Sequence, residues 1–238
     1  MVVLENTSLC AIVKDEIINP AGGILDFVNS TVPFVEEAVI VDTGSIDGTR
    51  EVLEESKKRH RNLRVYDRPF DNYADSRNYS LGHATKEWAL ILDADERLME
   101  TDFETLAEEQ KTYAQKVRRF KIPILNIYSD GYSTQISGLN PRLFFKAGAR
   151  FHKVVWENVV FPKARDMGYI QVSTAFIKHF LTEYGAIIQK RREWYNTWPI
   201  DIAVSDKGVF RSFRFDSPRD CPSFLLWRKF NPERNKYR

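Results

Sequence analysis

Two short apolar runs about fifty residues apart each end in a cluster of acidic and small polar residues, and this restricts the fold more than any other feature of the chain. The first runs through Ala38, Val39, Ile40 and Val41 into Asp42-Thr43-Gly44-Ser45; the second runs from Trp88 to Leu92 into Asp93-Ala94-Asp95-Glu96. An uninterrupted apolar run of four or five residues reads as a strand covered on both faces. In open α/β sheets, ligands sit in the crevice outside the carboxyl ends of such strands, so both clusters are expected to border one pocket. Carboxylates gathered there suit a divalent cation and the polar edge of a nucleotide.

The segments around these runs alternate in period. Residues 8–13 read as a buried strand, 23–30 as a helix following Pro20, 49–60 as a second helix, 63–66 as a strand, 73–84 as a helix and 87–92 as a strand. This βαβα rhythm predicts a mostly parallel sheet with helices on both faces. Beyond Asp95 the rhythm changes: an acidic helix over 101–116, an extended run over 120–128, a turn at Ser129-Asp130-Gly131, and strand-like pieces at 142–146 and 154–161. A helix over 183–198 stops before Pro199. The expected organisation is a nucleotide-sized half over 1–96, an α+β acceptor-binding and catalytic half over 97–206, and an extension over 207–238.

Composition excludes several alternatives. A chain of 238 residues with 43% hydrophobic and 13% aromatic residues has ample material for a core. The formal net charge of +2 offers no general attraction to nucleic acid. Charge is unevenly spread, however: from Lys207 onward nine Lys/Arg face three Asp/Glu, a local +6, which leaves −4 for the preceding 206 residues. That stretch interleaves Phe210, Phe213, Phe215, Trp227 and Phe230 with basic residues, a pattern that suits an anionic membrane surface or packing on a core, and less well nucleic-acid stacking. Cys10 and Cys221 are too far apart to suggest a metal motif or a disulfide framework. The N-terminus has neither a basic start nor a long apolar run, and the expected location is cytoplasmic, with peripheral contact at the membrane face.

Asp93 and Asp95 straddle one residue, so on an extended backbone their side chains point the same way and can share Mg²⁺ or Mn²⁺. Asp42, at the equivalent place on the earlier strand, either accepts hydrogen bonds from a nucleobase or ribose, with Gly44 letting the backbone approach closely, or organises the turn before the helix. Arg77 can pair with a phosphate, pair with a carboxylate such as Asp93, or lie on a helix surface.

Four segments in order carry a family resemblance: Ala11-Ile12-Val13-Lys14-Asp15-Glu16, then 41–49 around Asp42-Thr43-Gly44-Ser45, then Ala74-Asp75-Ser76-Arg77-Asn78, then Leu92-Asp93-Ala94-Asp95-Glu96. Together they resemble the family 2 glycosyltransferases, strongly through residue 96 and traceably to about 195. The resemblance implies the GT-A fold, a nucleotide-diphosphate sugar donor with UDP favoured, Mn²⁺ or Mg²⁺, and inversion at the anomeric carbon. It implies nucleotide contacts at Val13, Asp42, Gly44, Arg77, Asn78 and Asp93, and metal ligation by Asp93, Asp95 and, downstream, His179. Thr43 stands where the family often has a second Asp, which leaves the base open.

Inverting transfer needs a base for the acceptor proton and positive charge for the departing nucleoside diphosphate. Asn140-Pro141-Arg142, Phe151-His152 and Val155-Trp156-Glu157 resemble the family's acceptor-side segment, whose final Glu is the usual base, here Glu157. Trp156 stands where His is common. Gln189, Arg192 and Trp194 resemble a motif of processive members, with one residue too many before Trp194. The acceptor class stays open among glycan, lipid-linked and protein acceptors. Two rivals remain: a nucleotide- or glycan-binding protein of this fold without turnover, and an aspartyl phosphotransferase of the haloacid dehalogenase type, which also places Asp-x-Asp after a strand.

Overall fold

The computed structural model describes residues 3–113, 116–128, 133–136, 140–152, 158–161, 169–181, 204–205 and 208–209. The chain runs β1 (Leu4–Val13), α1 (Gly23–Thr31), β2 (Val35–Asp42), α2 (Thr49–Ser56), β3 (Leu63–Asp67), α3 (Tyr73–His83), β4 (Trp88–Ile91), β5 (Glu96–Arg97) and α4 (Glu100–Tyr113). It continues through β6 (Val117–Lys121), β7 (Ile124–Tyr128), β8 (Ser133–Ile136), β9 (Leu143–Phe145), β10 (Arg150–His152), β11 (Asn158–Val160), β12 (Tyr169–Val172) and β13 (Ile177–Leu181). The extended run expected over 120–128 is two strands, because Pro123 has no N–H for a ladder and separates β6 from β7. The helix expected over 183–198 and the turn at Asp130 lie outside the described residues. So does the basic aromatic extension, apart from 208–209.

Seven strands form one sheet in the order β12-β6-β9-β4-β1-β2-β3. The pairs β4–β1, β1–β2, β2–β3 and β12–β6 are parallel; β9 runs antiparallel between β4 and β6. The mostly parallel α/β sheet expected from the alternation is therefore present. From β1 the chain steps to β2 and β3 on one side and returns to β4 on the other. This reversal of strand order opens a crevice at the C-terminal ends of β1 and β4.

Alternation along the strands divides the core into two layers. Leu9, Ala11, Val13, Ala38, Ile40, Leu90 and Leu92 pack with Ile24, Phe27 and Val28 of α1, Leu53 of α2 and Phe103 and Leu106 of α4. Cys10, Val39, Ala89 and Ile91 face the opposite way, onto Ala74 and Leu81 of α3 and onto Phe144 and Phe151. Cys10 is thus a core residue, and burial pushes its thiol up to about 12. Among the described residues no helix is long and apolar enough to cross a membrane.

At the opposite end of the sheet from the crevice, a buried carboxylate fixes the entry to β4. Glu37 accepts from Ser8 Oγ at 2.5 Å, Thr85 N at 2.7 Å and Thr85 Oγ1 at 3.0 Å, with Arg64 at 3.2 Å. Burial works against its ionisation, but the Ser8 and Thr85 donors and Arg64 outweigh it and hold its pKa below the ordinary value. Glu37→Gln is expected to cost about 2–3 kcal/mol at neutral pH. Because the folded-state pKa is depressed, this contribution is present above the unfolded value of ~4.3 and is lost as pH falls below it. Urea melts of both proteins at pH 7 and pH 3 check this: a gap that does not narrow in acid removes the carboxylate's charge from the explanation.

A second sheet, β5-β13-β7-β8, rises beyond the first. β13 lies between β5, antiparallel with His179 opposite Glu96, and β7, parallel with His179 opposite Asn126. The acidic face of α4 holds the approach to β13. Asp102 accepts from Phe176 N at 3.1 Å and pairs with Lys178, and Glu109 accepts from Thr174 N at 2.9 Å.

Candidate active site

The loop after β2 is built around Asp42. Its Oδ1 accepts from the N–H groups of Gly44 and Ser45, both at 2.9 Å, which closes the turn. Gly44 sits at φ +107, a left-handed conformation that L side chains rarely adopt, yet nothing lies within 4 Å of where its Cβ would be. Its requirement is conformational, with no atom crowding the position. Asp42 Oδ2 has no partner, although the residue is only 4% exposed. It borders a cleft of about 530 Å³ whose wall also includes Lys14, Gly44, Asp67, Arg68 and Phe70. Arg68 is anchored by its own N–H to the Asp42 carbonyl at 2.9 Å and by Nη2 to Asp71 at 2.6 Å, which leaves its buried Nε without a partner. An acceptor and a donor, both buried and unspent, therefore share one cleft wall. The turn-organising and ligand-facing readings of Asp42 fall on different oxygens of the same carboxylate.

Val13 ends β1 beside Asp42, and its carbonyl accepts from both the N–H and the Oγ1 of Thr43 at 2.9 and 3.0 Å. Its side chain belongs to the core. Asn78 spends its amide on the backbone of Phe151, donating to the carbonyl at 2.9 Å and accepting from the N–H at 2.8 Å. It ties α3 to β10 and does not line the cleft.

After β4 the chain turns, with Glu96 N donating to the Asp93 carbonyl at 2.9 Å. The extended backbone that would aim Asp93 and Asp95 the same way is absent, and the two carboxylates take different hydrogen-bond partners. Asp93 meets Arg77 Nη2 at 2.6 Å and stands 3.9 Å from Arg142. Burial opposes its ionisation, but Arg77 and then Arg142 prevail and hold the carboxyl at about 2. Of the three roles open to Arg77, the structure places it on the carboxylate. Arg142 also pairs with the buried Glu96 at 2.6 Å, and burial pushes the Glu96 carboxyl above its ordinary range despite that partner.

Asp95 faces His179, with 3.2 Å between Oδ2 and Nε2, while Nδ1 of His179 meets Asn126 Oδ1 at 2.9 Å. Burial lowers the imidazole's proton affinity, yet Asp95 beside it, and after it Glu96 and Asp93, raises it overall. Among the described residues no three His, Cys, Asp or Glu side chains gather as a metal-binding group. The pair Asp95–His179 is still an oxygen and imidazole set that suits Mn²⁺. Ions of this kind commonly take one or two protein ligands and complete their shell with water and substrate phosphate. The donor chemistry therefore fits a divalent ion held by Asp95 and His179, with Asp93 committed to the two arginines. Glu157, Trp156, Gln189, Arg192 and Trp194 lie outside the described residues.

Sequence reasoning missed four contributors: Asn19, Arg68, Arg97 and Arg142. Arg97, 4% exposed, bonds Asp26 through Nε at 2.9 Å, the carbonyls of Ala94 and Glu96 through Nη1, and those of Ala21 and Gly23 through Nη2. A basic residue at the end of a two-residue strand carries no signal of such burial. Arg142, by contrast, sat within a motif that was noticed and attributed to the acceptor side.

Comparison with known proteins bears on the family and the fold. The model of the family described as "Glycosyl transferase family 2" matches residues 21–153, more than half of the chain. A TPR repeat-containing protein of Synechococcus elongatus is 34% identical over 98 residues, 40% of this chain and 22% of its own length. TarS of S. aureus superposes with a TM-score of 0.52 at 14% identity over 82% of this chain and 40% of TarS. A shorter TarS, residues 1–349 in complex with UDP-GlcNAc, gives 0.51 at 17% identity over 74% of this chain and 58% of that one. At such identities the likeness to TarS is one of fold, and the chain spans less than half the length of both the cyanobacterial protein and the longer TarS.

Proposed function

The chain belongs to glycosyl transferase family 2, and from that premise we propose that it moves a sugar from a nucleoside diphosphate donor, UDP-linked in the first instance, to an acceptor hydroxyl with inversion. The observation that carries this reading is the unpartnered Asp42 Oδ2 and the unpartnered Arg68 Nε, on two residues that line one cleft at the C-terminal ends of β1, β2 and β3. A buried carboxylate oxygen or guanidinium N–H without a partner costs free energy, and a ligand edge that supplies both partners recovers it. The edge they fit pairs an N–H with a neighbouring carbonyl, as in uracil. The TarS structures that share the fold include complexes with UDP and UDP-GlcNAc, which supports the same donor class here.

On this reading Asp42 and Arg68 hold the base, and Lys14 at the cleft wall offers positive charge toward the diphosphate. Asp95 and His179 would hold Mn²⁺ or Mg²⁺, whose chemistry when bound is to neutralise charge on the departing nucleoside diphosphate. Arg77 and Arg142 keep Asp93 ionised. The acceptor oxygen forms a bond to the anomeric carbon as its proton passes to Glu157. The bond from that carbon to the diphosphate breaks, and its electron pair leaves with the nucleoside diphosphate. The acceptor, whether glycan, lipid-linked or protein, is approached from the second half of the chain. Contact with a membrane face through the basic aromatic extension belongs to the same proposal.

Asp42→Asn tests the reading, since the amide can keep Oδ1 for the turn while Oδ2 becomes an N–H₂ group facing the base. UDP affinity is expected to fall by about 1–3 kcal/mol. Isothermal titration with UDP, CDP, GDP and ADP checks both affinity and preference. Unchanged affinity and unchanged base order would leave Asp42 as a turn residue only, and no binding of any of the four to the wild type would remove the donor reading altogether.

A further inference from the structure

The segment between β1 and α1 arches over the site, and its contacts have one meeting point. On one side it is stitched to the loop after β2: Asp15 N to Ser45 Oγ at 2.9 Å, Ile46 N to Asp15 Oδ1 at 2.8 Å, Glu16 N to Thr49 Oγ1 at 2.7 Å, and Ile17 N to Asp47 Oδ2 at 2.9 Å. On the other side it reaches the turn between Asp93 and Asp95 through a single side chain of its own, Asn19. The amide nitrogen of Asn19 donates to the Ala94 carbonyl at 3.0 Å and to Glu16 Oε2 at 2.8 Å. Its oxygen accepts from Ala21 N and Gly23 N, both at 2.9 Å. All of its ordinary hydrogen-bonding capacity is used, two donated and two accepted.

The arch has little room to shift. Asp15 holds a left-handed backbone at φ +56, and a Cβ at Gly23 would meet the Ile17 carbonyl at 2.3 Å. An amide saturated in this way, between a rigid arch and the residue separating the two site aspartates, links the β2 loop to the turn at 93–96 from the arch's side, as Arg97, bonded to the carbonyls of Ala94 and Ala21, does from the far side. A displacement of about 1 Å in such a turn is enough to spoil a site built from two elements.

We infer that Asn19 is a positioning residue that places Asp95 against the nucleotide cleft, so that nucleoside diphosphate and divalent ion bind together more tightly than either does alone. The inference rests on the proposed donor and metal site, and goes beyond it in naming what links the two halves. By linkage, the gain in UDP affinity brought by Mn²⁺ equals the gain in Mn²⁺ affinity brought by UDP, so one titration reads the coupling.

Asn19→Ser separates positioning from folding, because a hydroxyl at this place can still accept from Ala21 N but cannot reach the Ala94 carbonyl. UDP affinity without metal is expected to stay within about twofold of wild type, while the Mn²⁺-dependent gain falls about tenfold. A full Mn²⁺ gain in Asn19→Ser overturns the inference, and so does an equal loss of UDP affinity with and without metal, which marks a general structural role. A second measurement needs no variant. Adding Mn²⁺ to the UDP complex of the wild-type protein is expected to slow amide exchange at Ala21 and Gly23, whose N–H groups end on Asn19, and unchanged exchange there overturns it. Wild-type protein that binds UDP but gains nothing from Mn²⁺ overturns the inference while leaving the donor reading in place. Failure to bind UDP at all overturns both.

Discussion

Asp95→Ala is expected to lower turnover by about 10³-fold or more, the scale of several kcal/mol of charge stabilisation withdrawn from the leaving group, while the chain still folds. Folding should survive because the Asp95 side chain is about one-third exposed and, among the described residues, its ion-pair partner is His179. The loss should appear in the metal response. Wild-type activity should vanish in EDTA and return with Mn²⁺, and in the variant Mn²⁺ should restore little. The pH dependence follows from His179. Asp95 raises the proton affinity of this imidazole, and a metal must displace that proton to bind. Apparent Mn²⁺ affinity should therefore climb with pH through a midpoint above the ordinary histidine value of ~6.5. In His179→Ala the same window should be flat. Full activity of Asp95→Ala, or wild-type activity indifferent to EDTA, would remove the metal from the mechanism.

Glu157→Gln is expected to cost about 10²–10⁴-fold in kcat, the range for a general base, with donor affinity kept. Glutamine preserves size and hydrogen bonding but cannot take the acceptor proton. The strands flanking this residue in sequence, β10 and β11, pair antiparallel with Phe151 opposite Val159. Asn78 fastens β10 to α3, the helix that carries Arg77 to Asp93. Steady-state kinetics and UDP titration on the same preparation distinguish a lost base from a lost pocket: a fall in both would mark Glu157 as a binding or structural residue. Near wild-type transfer would direct the search to Asp130.

The first half of the fold was readable because each of its elements carries its own local signal. The runs at 38–41 and 88–92 are apolar on both faces because the strands are covered on both, and the carboxylates that follow fall where the sheet's crevice opens. The environment of Asp42 was half readable. A turn residue and a ligand residue look alike in sequence, and only the closed turn on Oδ1 shows that Oδ2 is left over.

The separate partners of Asp93 and Asp95 were not readable, since those of Asp93 are Arg77 from α3 and Arg142 from β9's approach, sixteen and forty-nine residues away in opposite directions. Spacing of two residues predicts a shared direction only on extended backbone, and the turn capped by Glu96 N removes that condition.

By itself, then, the sequence determined the strand and helix alternation, the carboxylates at the ends of β2 and β4, and the family, because periodicity and short motifs are properties of neighbouring residues. The tertiary structure alone decided which partners those carboxylates meet. His179 reaches Asp95 because β13 inserts between β5 and β7, and Asn19 reaches Ala94 because the arch after β1 folds over the switch point. Contacts of this kind join residues more than seventy positions apart, and no local pattern encodes them; they are selected by how two sheets and their covering helices pack together.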